Sequence, residues 1–343
     1  MKISNTEDYT IIDCWWNATI NDLFAIEINS LENFTLPDKN LSLKNDIRFM
    51  YCGLSYKNNN VVVSKFMEDL GIKYVTELTF NYPRTPLNHY NLVGLKILRY
   101  LTVSGTDLAP DLLQNLTNLE ILRLVDIYDI PNNFFKYSRK LKTLEILNSN
   151  FRELRREQFH GLANLTHLKL KINNIQFAED SFTFEGLTSL KTLNISHYTL
   201  NILPPESFRN LINLETIIVF LNNAYEFIFY DRSYKIYTSK FINLPNKLFT
   251  NLKSMKELRI QSSAHWELPE NIFVNNFGML QNLSISGYKR DTLPENIFRN
   301  IPNITELRIT NNFLTSLPSK IFENLEKLEF LDLSNNKLEN LNM

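Results

Sequence analysis

Leu328-Glu329-Phe330-Leu331-Asp332-Leu333-Ser334-Asn335-Asn336-Lys337-Leu338 reads as L-x-x-L-x-L-x-x-N-x-L. Apolar and polar residues alternate through Leu331 and Leu333, which is the pattern of a strand with one buried face, because successive side chains of a strand point to opposite sides. Such a short strand cannot bury that face alone and needs neighbours of its own kind. They are present: Leu165, Leu168, Leu170, Asn173 and Ile175 repeat the pattern. Its first apolar position recurs at Leu98, Leu119, Leu141, Leu165, Leu190, Leu214, Met255, Leu280, Ile304 and Leu328. These positions lie 21 to 25 residues apart, except for one step of 41 between Leu214 and Met255.

A second column fixes the register. Leu113, Phe135, Phe159, Phe184, Phe208, Phe249, Phe298 and Phe322 each stand six residues before the next strand, and Phe273 stands seven before. The pattern is that of the leucine-rich repeat, and it predicts an α/β solenoid (horseshoe) with a parallel concave β-sheet, about eleven repeats and an amino-terminal cap. The Phe column is expected to form a spine on the convex side. Asn173, Asn222, Asn312 and Asn336 occupy the ninth place, where an amide that donates and accepts at once can satisfy turn backbone inside the stack. Ser149, Tyr198, Ser263, Tyr288 and Ile127 stand there in other copies, so those turns need another solution. Leu203-Pro204, Leu244-Pro245, Leu268-Pro269, Leu293-Pro294 and Leu317-Pro318 should begin the return segments, since the residue before proline is pushed out of helical geometry.

The weaker frame upstream includes Val75 to Phe80 and Ile47 to Cys52, with Leu23, Ile26 and Ile28 as a candidate first strand. The domains predicted are therefore a cap region over 1–46 and a repeat array over 47–343, interrupted by an aromatic insertion near 227–243. Cys14 and Cys52 both fall in this leading part, where a bridge would staple the cap; two unpaired buried thiols are the alternative. The last repeat ends at Leu338 and Leu341 without closing cysteines or a polar lid, so the array is expected to be truncated and to continue past Met343. At the other end, Met1 to Asp8 lacks the apolar run of a secretory leader, which leaves either an internal chain or one whose true start is missing.

Composition narrows the function. With 36 basic and 37 acidic residues the chain has no net field to attract a polyanion, so nucleic acid is not an expected partner. Only 8 glycines against 45 asparagines leave no glycine-rich phosphate cradle. No H-E-x-x-H, C-x-x-C or G-x-S-x-G string occurs, and His89, His160, His167, His197 and His265 are spread over different repeats. We expect neither an enzyme nor a cofactor.

The strand ending Met50-Tyr51-Cys52, then Phe66-Met67-Glu68-Asp69-Leu70-Gly71-Ile72, then Val75-Thr76-Glu77-Leu78-Thr79-Phe80, resembles the amino-terminal part of insect Toll receptor ectodomains. That resemblance implies an innate-immune or developmental receptor on the outer side of the plasma membrane. Its ectodomain would bind a processed cystine-knot cytokine, Spätzle, and signal through a cytoplasmic TIR domain, reaching the membrane only through sequence beyond this chain. The leading cap has fewer cysteines than that family carries.

A curved sheet binds by area. In the early repeats its outward places hold Tyr51, Glu77, Tyr82, Tyr100, Arg123, Asp126, Glu145, His167 and Lys169, and Tyr and Arg are the residue types that most often anchor interfaces. The insertion, with Tyr225, Phe229, Tyr230, Tyr234 and Tyr237, is a second candidate contact, to a ligand or to a second receptor in a dimer; a flap folded over its own repeats is the alternative. Asn17, Asn33, Asn40, Asn115, Asn164, Asn194, Asn282 and Asn303 head N-x-S/T glycosylation motifs, which suit an extracellular protein. Asn194 and Asn282 would lie on the concave strands. The other readings are a secreted or adaptor scaffold with another partner and a structural glycoprotein.

Overall fold

The structure is a computed structural model, and it describes residues 2–5, 10–14, 46–47, 49–52, 64, 74–81, 86–149, 151, 153–172, 176–177, 183–197, 207–221, 227–230, 233–236, 242–244, 248–273 and 277–339. Two compact units result: Met1–Asn150 with Glu157–Leu165, and Phe151–Arg156 with Thr166–Met343.

In the first unit the strands are β1 (Lys2–Asn5), β2 (Thr10–Cys14), β3 (Asp46–Ile47), β4 (Phe49–Cys52), β5 (Tyr74–Val75), β6 (Glu77–Asn81), β7 (Tyr100–Ser104), β8 (Ile121–Val125) and β9 (Thr143–Ser149). The main sheet runs β1-β2-β4-β6-β7-β8-β9. β1 and β2 form an antiparallel pair, and from β2 onward every step is parallel. The sequence pattern did not anticipate a strand at 10–14; the proposed one around Leu23, Ile26 and Ile28 lies outside the described residues. β3 and β5 make a small parallel pair of their own.

The second unit contains β10 (Glu153–Leu154), β11 (His167–Ile172), β12 (Gln176–Phe177), β13 (Thr192–His197), β14 (Thr216–Leu221), β15 (Phe227–Tyr230), β16 (Ser233–Ile236), β17 (Ile242–Asn243), β18 (Glu257–Glu267), β19 (Asn282–Tyr288), β20 (Glu306–Thr310) and β21 (Phe330–Asp332). Its main sheet is parallel in the order β11-β13-β14-β18-β19-β20-β21, and β17 lies along the end of β18. The aromatic insertion contributes an antiparallel hairpin, β15 with β16.

Each unit is thus a parallel leucine-rich-repeat solenoid. Burial follows the alternation: in β8 Leu122 and Leu124 are buried while Ile121, Arg123 and Val125 are half-exposed, and in β11 Leu168, Leu170 and Ile172 are buried while His167, Lys169 and Lys171 are exposed. Among the described residues the helical side of the repeat consists of turns, the helical Ser64 and two 3-10 segments, His89–Leu92 and Arg156–Phe159. Five rings of the Phe column stack on one another, while Phe273 pairs edge-on with Phe277. Phe184 stacks on Phe208 at 6.2 Å between ring centroids, Phe208 on Phe249 at 6.1 Å, and Phe298 on Phe322 at 6.5 Å.

Side chains close the turns between repeats. The Tyr288 amide donates to Asn312 Oδ1 at 2.8 Å, and Asn312 Nδ2 donates to the Ile285 carbonyl at 3.3 Å. Asn336 Nδ2 reaches the Ile309 carbonyl at 2.6 Å. Ser149, standing where Asn is expected, accepts from the Ile127 amide at 3.1 Å and donates to the Leu147 carbonyl at 3.0 Å, so a hydroxyl performs both halves of the task. Asn173, Asn222, Tyr198 and Ser263 lie outside the residues whose side chains are described.

A second ladder escaped the sequence reading. In several repeats the residue just before the first apolar position ties back to the preceding repeat: Asn118 Nδ2 to the Lys96 carbonyl at 2.7 Å and Asn164 to Arg139 at 2.9 Å in the first unit. In the second unit Asn213 binds the Thr188 carbonyl at 2.8 Å, Ser254 the Ile212 carbonyl at 3.0 Å, and Asn303 the Gly278 carbonyl at 2.8 Å.

Strand exits follow a third rule. Seven residues into the repeat the backbone turns left-handed at Gly105, Asp126 and Asn148 in one unit, and at Gly287, Asn311 and Asn335 in the other. These are the residue types that tolerate that conformation. Where the same place holds Ile172, His197 or Leu221 that residue is the last of its strand, and at Ser262 the strand continues past it.

Candidate functional site

The outward side chains of β6 to β9 form rows across the first unit's sheet. Register places Glu77 beside Tyr100, Tyr100 beside Ile121, and Ile121 beside Thr143. The next row runs Thr79, Thr102, Arg123, Glu145, with the two threonines buried and the charged pair reaching solvent. Arg123 therefore lies diagonal to Tyr100 and directly beside Glu145. Its Nε donates to Glu145 Oε2 at 2.7 Å and its guanidinium carbon stands 6.0 Å from the Tyr100 ring centroid.

Arg123 and Glu145 side chains are 42% and 20% exposed, so water screens the pair. An ion pair in such a setting contributes about 0.2–1 kcal/mol to stability, too little for the arrangement to be explained by folding alone. What it does is hold the arginine beside Glu145 and within reach of the Tyr100 ring. A guanidinium has five N–H donors, and only one is used on Glu145, which leaves a fixed, forked donor group over an aromatic ring on an open face.

The structure brings Glu77, Tyr100, Arg123 and Glu145 onto one face. Tyr51 lies on β4, in register with Thr79; Tyr82 lies outside the described residues. Asp126 is at the left-handed turn after β8, with φ 53°, and its amide donates to the Leu147 carbonyl at 3.0 Å, so it belongs to the strand exit. His167 and Lys169 are exposed on β11 of the second unit, where His167 Nδ1 lies 2.8 Å from Thr166 Oγ1.

Of the insertion residues, Phe229 and Tyr234 are register partners in the hairpin and Tyr230 opposes Ser233; Tyr225 and Tyr237 fall outside the described residues. Cys14 and Cys52 are register partners on β2 and β4. Among the glycosylation motifs, Asn164 is exposed, and Asn115 and Asn303 are half-buried. Asn194 and Asn282 are half-buried on β13 and β19, and Asn194 Oδ1 is buried with no hydrogen-bond partner among the described residues. Asn17, Asn33 and Asn40 lie outside them.

Charge is paired along the strand entries too. Glu215 stands between Lys256 at 2.8 Å and Lys191 at 3.5 Å. The Lys256 hydrogen bond, then its charge, hold the Glu215 carboxyl below the usual carboxylate range. No three His, Cys, Asp or Glu side chains gather to hold a metal among the described residues, and no described helix is long and apolar enough to cross a membrane.

Residues 302–343 match the family model described as leucine rich repeat, and residues 111–236 match the one described as BspA type leucine rich repeat region. Mouse podocan is 25% identical over 225 residues, covering 62% of this chain and 35% of podocan. Toll-like receptor 3 of Boselaphus tragocamelus is 26% identical over 271 residues, covering 70% of this chain and 29% of the receptor. The chain thus spans well under half the length of these relatives. Among solved structures, a chain of the Drosophila Toll–Spatzle complex superposes with a TM-score of 0.64 at 21% identity, covering 96% of this chain and 43% of that one. By repeat, sheet and likeness, this chain is a leucine-rich-repeat solenoid, similar both to Toll-like receptors and to podocan.

Proposed function

We propose that the chain is part of the ligand-binding ectodomain of a Toll-type receptor, facing the outside of the cell, and that the first unit's sheet face grips a protein of the Spätzle-like cystine-knot class. The observation that carries this reading is the Tyr100–Arg123–Glu145 cluster, a buttressed arginine over an aromatic ring on an open sheet. Aromatic and arginine anchors of this kind supply most of the energy of protein interfaces. Likeness to Toll-like receptor 3 and to the Toll chain of similar fold supports the receptor class.

Capture of a processed Spätzle-like cytokine tests it. Arg123→Ala and Tyr100→Ala should each weaken binding about 10- to 100-fold, the range of interface anchors. Glu323→Ala, at an exposed Lys320 pair of the second unit, should leave it unchanged. Unchanged capture by the first two variants removes the patch; no capture by the native chain removes the ligand. Similarity to podocan favours a second reading, a secreted scaffold with a different protein partner.

The leading cap is stapled, in this reading, by a Cys14–Cys52 disulfide. Paired strands bring backbones about 4.8 Å apart, inside the Cα range that disulfides span. Alkylation of the non-reduced chain in denaturant should label neither thiol, and labelling of both refutes the bridge.

A further inference from the structure

The second unit also holds a cavity of about 480 Å³ away from the sheet face, a volume within the range of ligand clefts. Its floor is periodic. Leu244, Leu268 and Leu293 come from the same place in three successive repeats, and all are buried. Pro269 and Pro294 follow two of them and, half-buried, turn the chain away, so the three leucines line a trough that crosses the repeats. Adjacent strands lie about 4.8 Å apart, so three repeats span roughly 10 Å, the length of about three residues of extended chain.

One wall is preset. Tyr288 packs edge-on against Trp266 at 6.0 Å between centroids, Trp266 Nε1 donates to the Ser286 carbonyl at 2.9 Å, and the Tyr288 hydroxyl donates to the Thr292 carbonyl at 3.3 Å. Both rings are buried and hydrogen-bonded, so the wall behind the trough is ordered before a partner arrives. Burial pushes the Tyr288 phenol up from its ordinary pKa, and the ring stays neutral.

The rim is acidic. Arg290 pairs with Glu267 at 2.9 Å, and Glu270, exposed, makes no ion pair among the described residues. Asp291, exposed beside the lip, is near enough for its charge to act on Tyr288. In the lining Glu267 and Glu270 outweigh Arg290 by one charge; Asp291 and Lys289, both exposed and of opposite sign, stand just outside it. Such a rim repels phosphate-bearing ligands and favours a cation placed next to an apolar group.

We propose that this trough is a second docking site, occupied by an extended loop of a protein partner that seats an aliphatic side chain on Leu244, Leu268 and Leu293 and sets a lysine or arginine against Glu270 and Asp291. The site is independent of the sheet face.

Calorimetry with the whole chain and three blocked tripeptides, acetyl-Leu-Lys-Leu-amide and its Gln and Glu counterparts, tests it. The Lys peptide should bind about tenfold more tightly than the Gln peptide at 50 mM salt, and the Glu peptide more weakly still. Most of that preference should vanish at 500 mM, because the rim is open to screening. The double variant Glu270→Gln, Asp291→Asn, both at exposed positions, should abolish the preference while leaving Gln-peptide binding intact. Equal binding of all three peptides, a Lys preference that survives the double variant, or no binding at millimolar peptide would each overturn the proposal.

Discussion

Replacing Phe208 by alanine is expected to lower the stability of the second unit by about 3–5 kcal/mol, the cost of removing a fully buried phenyl ring from a core that cannot close over the gap. Phe208 is 1% exposed and lies between Phe184 at 6.2 Å and Phe249 at 6.1 Å, so its loss opens a hole lined by two rings belonging to neighbouring repeats. In a repeat protein each unit is held mainly by its neighbours, and a gap in the spine weakens two interfaces at once. Phe322 provides the comparison. It stacks on Phe298 at 6.5 Å but is half-buried, and Phe322→Ala should cost only about 1–2 kcal/mol. Urea unfolding followed by far-UV circular dichroism measures both through the shift in midpoint at unchanged slope. Equal costs at the two sites would mean that the rings do not form one continuous spine.

The strand frame was readable because it is written in one residue class at a fixed spacing. Leu98, Leu119, Leu141, Leu165, Leu190, Leu214, Leu280 and Ile304 are all buried, and so is Met255, across the long step that an insertion makes. The Phe column was readable for the same reason. Strand exits were hidden, although the signal stands in plain view at Gly105, Asp126, Asn148, Gly287, Asn311 and Asn335, because three chemically different residues serve one backbone conformation. The tie-back ladder was hidden in a similar way. Asn118, Asn164, Asn213 and Asn303 look like surface asparagines, two of them inside glycosylation motifs, and Ser254 substitutes a hydroxyl for the amide.

The candidate face was half readable. Alternation identifies which residues point outward, so Tyr100, Arg123 and Glu145 could be named, but only register shows that Arg123 meets Glu145 across one strand step and Tyr100 on the diagonal. Asp126 does not share the outward parity of Ile121, Arg123 and Val125; it stands one residue past β8, at the left-handed turn. The trough of the second unit was legible only in its floor, the leucines of the Leu-Pro pairs at Leu244, Leu268 and Leu293. It depends on Trp266 and Tyr288 packing together at the end of β18 and β19, past an irregularity in register between Gln261 and Trp266 that no local pattern announces.

Gly287→Asn is expected to cost about 2–4 kcal/mol, although asparagine occupies the same place in the next two repeats. Conformation alone does not forbid it, since asparagine is among the residues that most readily take the left-handed turn. Space does. A Cβ on Gly287 would lie 2.1 Å from the Ser262 carbonyl oxygen, a backbone atom inside the long strand β18 that cannot swing aside as a side chain would. The close approach arises where β18 continues past its own seventh-place residue, Ser262, beside the left-handed turn at Gly287 of the next repeat. Asn311→Gly, at the equivalent exposed turn, should shift stability by no more than about 0.5 kcal/mol either way. Thermal or urea unfolding of the two variants side by side decides the matter. A neutral Gly287→Asn would show that β18 can yield at Ser262, and with it that the wall of the trough, Trp266 and Tyr288, is less rigidly held than its packing implies.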